Sequence, residues 1–154
     1  MIILNRGNIF SDKQIQKVIK YLGYDYKPWK IVIYETRFDM LRYFFSCFNF
    51  ALEELLGKLE GSYNQETDTV FIFVFAQNDD GDDLHSKQLY SLHALAHELR
   101  HRYQLVNNLF TGESDEDASE RDADLFATDF INTKAKKVSR IMGWKSEWQI
   151  EEID

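Results

Sequence analysis

The segment that most constrains this chain is 88–104, QLYSLHALAHELRHRYQ, which contains neither Gly nor Pro. Leu92, Leu95, Ala96, Leu99, Tyr103 and Val106 recur at helical spacing and form one apolar stripe. The segment therefore reads as an amphipathic helix with one face to bury. Inside it lies His97-Glu98-Leu99-Arg100-His101, an HExxH pentapeptide. His97 and His101 are one helical turn apart and fall on roughly the opposite side from the stripe. That spacing lets both imidazoles bind one tetrahedral zinc ion. Glu98 stands about 100° round the helix, where it can reach a zinc-bound water and act as general base.

A catalytic zinc site takes three protein ligands and leaves the fourth position for water. Downstream, Ser119-Glu120-Arg121-Asp122-Ala123-Asp124-Leu125-Phe126-Ala127 is again helical in pattern. Glu120 and Asp124 share a face of it, and Ala123, Ala127 and Ile131 lie on that same face. Small residues there let this helix pack close to the HExxH helix and bring a carboxylate to the metal. Either Glu120 or Asp124 can reach it. With Glu120 as third ligand, Asp124 can accept a hydrogen bond from the non-ligating nitrogen of His97 or His101, fixing its tautomer. The acidic run 113–117 reads as a helix start, where negative charge is favoured.

HELRH followed at this distance by ERDAD and LFA resembles the gluzincin group of zinc metallopeptidases. The pattern Glu120, Ala123, Phe126, Ala127 is most similar to the ImmA/IrrE-type proteins, small bacterial and mobile-element peptidases, some of which cleave transcriptional repressors. The resemblance covers roughly residues 55–135. It implies one Zn2+ held by His97, His101 and Glu120, Glu98 as the catalytic base, and Asp124 behind a ligand His. It also implies a protein or peptide substrate, including a regulatory protein. Arg100 departs from the pattern, since that family often has Gly there. No helix-turn-helix segment accompanies the motifs, so the resemblance carries the zinc chemistry further than a regulatory role.

The remaining composition supplies a frame. At 154 residues, 44% hydrophobic and 15% aromatic, the chain reads as a single globular domain over 1–154, neither disordered nor in need of staples. No apolar run approaches the ~20 residues that span a bilayer. The first residues lack the pattern of a secretory signal. Cys47 is the only cysteine, which excludes an intrachain disulfide and reads as a small buried hydrophobe. These points lead us to expect a cytoplasmic protein with no membrane partner. A net charge of −8 disfavours phosphate backbones, so no nucleic-acid partner is expected. Lys134, Lys136, Lys137 and Arg140 cluster near the end of the third-ligand helix, where its dipole favours cations.

Along the chain, Ser11 can cap a helix through about Leu22, stopped by Gly23. Residues 30–35 read as a strand and 39–58 as a long Phe-rich helix. Ser62 to Asn64, a turn at 65–68 and an apolar run at 69–75 read as a hairpin ending in a buried strand. The loop 78–83 is acidic, but its Gly81 is misplaced for a calcium loop. The order resembles a small zincin: an α+β fold with a small mixed sheet, the HExxH helix behind it and a second helix carrying the third ligand. In that family the edge strand beside the zinc pairs with an extended substrate. By position that edge is 59–64, with Gly61 allowing two backbones to approach.

His93 is one turn before His97 and could form an alternative pair with it. His85 could rim the cleft or stabilise an oxyanion, as could Tyr63, Tyr90 or Tyr103, and the sequence does not choose among them. The reading is a zinc-dependent metallopeptidase in which Glu98 takes the proton of a water whose pKa the metal lowers to about 7. The alternative is a catalytically silent zinc module that acts by binding a protein partner.

Overall fold

The computed structural model describes residues 1–5, 7–44, 59–77, 83–112 and 115–150. The chain opens on a short strand, β1 (Ile2–Asn5). The sequence reading missed it because four residues carry too little periodicity to stand out. Helix α1 (Asp12–Leu22) follows, closed at its start by a reciprocal capping box between Ser11 and Gln14 and at its end by Gly23 at φ 112°. A 3-10 turn (Tyr24–Tyr26) leads into β2 (Lys30–Tyr34) and then α2 (Arg37–Phe44). The long helix expected over 39–58 thus begins earlier, behind Thr36, whose hydroxyl accepts from the Asp39 N–H. Its continuation past Phe44 lies outside the described residues.

The hairpin consists of β3 (Gly61–Asn64) and β4 (Thr69–Phe73). The strand ends two residues earlier than expected. Val74–Gln77 form a 3-10 turn, because a continuous apolar run has no period that separates strand from turn. The sheet order is β1-β2-β4-β3, with β1, β2 and β4 parallel and β3 antiparallel at the edge. The register pairs Gly61 with Ile72 and Tyr63 with Val70. The Phe73 N–H donates to the Glu60 carbonyl at 2.9 Å, so Glu60, Ser62 and Asn64 turn their peptide groups toward β4. Gly61 and Tyr63 turn theirs to the open edge.

Both faces of the sheet are covered, which is why its central strands read as unbroken apolar runs. Ile31, Ile33, Val70 and Ile72 pack with Ile15 and Val18 of α1 and with the long helix α3 (Leu84–Val106). Val32, Tyr34 and Phe73 pack on the other side with Met40 and Phe75. Asp83 caps α3 by accepting from the Ser86 N–H, and the rest of the acidic loop 78–83 lies outside the described residues. Of the predicted stripe, Leu92, Leu95, Ala96 and Leu99 are fully buried. Val106 is not: it ends the helix beyond the packed turns and is exposed.

Helix α4 (Glu116–Thr133) lies against α3, and Ala123, Ala127 and Ile131 are completely buried there. Glu116 and Asp117 occupy its first turn, and 113–114 lie outside the described residues. A separate helix, α5 (Ala135–Met142), follows. This corrects the reading of the basic cluster. Lys134 does stand at the end of α4, as its C-cap, but Lys136 and Lys137 open α5 instead of closing α4, and Arg140 lies in the last turn of α5. Among the described residues, no helix is long and apolar enough to cross a membrane.

Candidate metal centre

The close packing of α3 and α4 brings His97, His101 and Glu120 together, and their ligating atoms lie within 4.8 Å of one another. The two Nε2 atoms are 3.0 Å apart. Glu120 Oε2 is 3.2 Å from His97 Nε2, and Glu120 Oε1 is 3.2 Å from His101 Nε2. Zinc–nitrogen bonds of about 2.0–2.1 Å in a tetrahedron set neighbouring ligand atoms about 3.3 Å apart. The triangle has the size that such an ion requires.

The hydrogen bonds behind the imidazoles decide what these atoms are. His97 Nδ1 is 2.8 Å from Asp124 Oδ1. A carboxylate only accepts, so Nδ1 carries the proton. His101 Nδ1 is 3.0 Å from Gln104 Oε1. The Gln104 amide cannot flip, because its Nε2 donates to the Ser119 carbonyl at 2.9 Å and to Asp122 Oδ2 at 2.8 Å. In the neutral tautomer that metal binding requires, with the proton on Nδ1, both Nε2 atoms present lone pairs to each other and to the Glu120 carboxylate. A cation at their centre satisfies all three groups at once. The residues fit a metal ion.

Glu98 points from the same helix toward the sheet edge. It is 7% exposed, and the Tyr63 backbone N–H donates to its carboxylate. Burial first, then the Glu120 and Asp124 charges, push its carboxyl up to about 8. A dication in the triangle acts in the opposite direction. Gly61 faces this side chain: a Cβ built there would sit 2.8 Å from Glu98 Cγ and 2.9 Å from Oε1. The group that closes on Gly61 within the chain is thus Glu98.

A cleft of about 770 Å³ runs past the triangle between β3 on one side and α4 on the other. His93 opens onto it but is separate from the metal group. Its Nε2 is 3.1 Å from Thr128 Oγ1, and burial lowers its pKa. His85 stacks on Trp148 with ring centroids 5.4 Å apart, away from the cleft lining. The Tyr63 hydroxyl donates to Asp68 at 3.0 Å. Tyr90 and Tyr103 do not line the cleft, and Tyr103 stacks on Tyr26 at 4.7 Å.

Gln104, Ser119 and Asp122 escaped the sequence reading. Ser119 Oγ donates to Gln104 Oε1 at 2.7 Å, and Asp122 receives Arg100 through Nε at 2.7 Å and Nη2 at 3.2 Å. Arg100 also donates to the Tyr26 hydroxyl at 2.8 Å and lies over the Phe126 ring at 4.9 Å. The departure from Gly at this position thus ties α3 to α4. The available signal was helical: Gln104 lies one turn after His101, and Asp122 two residues after Glu120. No family model, no curated protein and no solved structure matches the chain, and nothing in these comparisons identifies the zincin or the ImmA/IrrE family.

Proposed function

We propose that the protein is a zinc-dependent peptide hydrolase of zincin-like fold, acting on a protein or peptide substrate. The observation that carries this reading is the convergence of three acceptor groups, His97, His101 and Glu120, beside a buried carboxyl, Glu98, in one open cleft. Among the described residues the metal group contains no fourth side chain, which supports a position left for solvent or substrate. Zinc supplies Lewis acidity there, making water acidic and polarising a scissile carbonyl. Asp124 and Gln104 accept from the Nδ1–H groups of the two imidazoles and turn each Nε2 toward the metal position. The Glu98 carboxylate accepts a proton from the attacking water and passes it to the leaving amine nitrogen. The Tyr63 N–H keeps that carboxylate aimed along the sheet edge. The lone Cys47 suits a reducing compartment such as the cytoplasm.

Metal analysis and cleavage of a proteome-derived peptide library test this together. Protein purified without chelator should contain about one equivalent of zinc, lost in His97→Ala. Glu98→Gln should keep the zinc and cleave nothing. Cleavage by Glu98→Gln, or wild-type protein without zinc, would overturn the assignment.

A further inference from the structure

The cleft differs from end to end. The contacts His93–Thr128, His97–Asp124 and Gln104–Ser119 set α3 and α4 antiparallel along it. At one end, Glu60 lines the cleft with His97 and Asp124, close enough to Asp124 for the two carboxylates to interact. At the other, past His101, Leu105, Leu109 and Phe110 are 46%, 39% and 39% exposed and form an apolar lip beside Glu116. Phe110 is held at φ 54°, a left-handed conformation unusual for a bulky residue, and it stands outside the hydrophobic core. Core packing does not explain that ring at the mouth of the cleft. Five carboxylates line the cleft, from Glu60, Glu98, Glu116, Glu120 and Asp124, and no described Lys or Arg does. A bound dication balances two of them.

We infer that the cleft takes an extended polypeptide segment bearing a Lys or Arg toward Glu60 and Asp124 and a large apolar side chain toward Leu105 and Phe110. The choice of a polypeptide rests on the peptide-hydrolase reading; the charge and apolar preferences come from the lining. From His97 to Leu105, α3 advances about 12 Å. An extended chain rises about 3.3 Å per residue, so the two side chains stand about four residues apart. The outward Gly61 peptide group and the Tyr63 carbonyl on the edge of β3 serve the backbone between them, while the Tyr63 N–H stays with Glu98. An acidic peptide meets like charge along the whole cleft, so discrimination is built in by repulsion as well as attraction.

The test uses the full chain carrying Glu98→Gln and fluorescein-labelled peptides with Arg and Leu four residues apart, in both orders, read by anisotropy. At least one order should bind about tenfold tighter than its counterparts with Glu for Arg or Ser for Leu, and the Arg preference should weaken with salt. Adding Glu60→Lys should cut the Arg preference about tenfold. Adding Phe110→Asn should cut the Leu preference by a similar factor while the melting temperature stays level or rises, since Asn tolerates the left-handed backbone. Equal affinity for the Arg and Glu peptides, absence of saturable binding, or full Leu preference in Phe110→Asn overturns the inference. Unselective binding alongside Glu98-dependent cleavage removes the substrate class and leaves the hydrolase. Selective binding without Glu98-dependent cleavage does the reverse.

Discussion

Replacing Gly61 with Ala adds a single methyl at the point where the sheet edge meets the HExxH helix. The backbone at Gly61 is not left-handed, so Ala adopts it freely and the cost is purely steric. The new Cβ would lie 2.8 Å from Glu98 Cγ and 3.2 Å from Cδ, against about 3.5–4.0 Å for an ordinary carbon contact. Glu98 cannot retreat easily, because Cγ is near the helix backbone and the side chain is 7% exposed. Overpacking of this kind costs about 1–3 kcal/mol. A stiffer unfolded chain returns about 0.4–1 kcal/mol. The net loss is about 0.5–2 kcal/mol, or a melting temperature lower by about 1–8 °C for a chain of this size. Urea unfolding of Gly61→Ala, Glu98→Ala and the double variant isolates the contact. Without the carboxylate the added methyl should be neutral or stabilising, giving a coupling energy of about 1–3 kcal/mol. Additivity within about 0.3 kcal/mol would refute the argument that Glu98 occupies the space a Cβ would need. Displacement of Glu98 should also reduce cleavage at least about tenfold while zinc remains bound.

Three further outcomes follow from the centre itself. Zinc at about one hundred times its dissociation constant should stabilise the fold by about 2.7 kcal/mol, raising the melting temperature of chelator-stripped protein by about 5–10 °C in a thermal-shift assay; no shift would remove the metal from the triangle. Glu120→Ala should purify largely zinc-free, whereas Asp124→Ala should bind zinc about 10–100-fold more weakly in a competition titration, and the reverse pattern would swap their roles. Gln104→Leu leaves the His101 Nδ1–H and the Ser119 carbonyl without their amide partner, so it should cost about 1–3 kcal/mol of stability and about 10–100-fold in zinc affinity; wild-type affinity would show that Gln104 does not orient His101.

Local periodicity carried the parts of this site that were legible. His97 and His101 lie on one face because a helix repeats every 3.6 residues, and the buried Leu92, Leu95 and Leu99 fix which face turns inward. Glu120 and Asp124 were legible for the same reason, with Ala123 and Ala127 marking the side that packs closely. Gln104 and Asp122 were not. Their importance lies in bonds between helices, Gln104 to Ser119 and Arg100 to Asp122, and no spacing within either helix encodes such a pairing. The same holds for Gly61. A glycine ahead of a strand reads as a helix stop or a site of backbone approach, and only the packed structure brings Glu98 against it. Strand β1 and the turn after β4 failed for a different reason, since both are short apolar runs without a diagnostic period.

The two walls of the cleft are anchored to one turn of α3. Arg100 grips α4 through its forked pair with Asp122, two residues beyond Glu120. Arg102 grips the β3–β4 turn through Asp68, at 2.9 and 3.3 Å, and Asp68 also receives the Tyr63 hydroxyl and the Trp29 N–H. His101 lies between these two arginines in the chain. The separation of β3 from α4, and with it the room beside Glu98 and Glu120, is therefore set by charge-assisted bonds that radiate from the residues flanking a metal-ligand candidate. Such bonds are shorter and stronger than neutral ones, and both arginine side chains are largely buried, at 17% and 13% exposure, so screening is reduced. The arginine clamps thereby hold His97, His101 and Glu120 near the spacing an ion needs before the ion arrives.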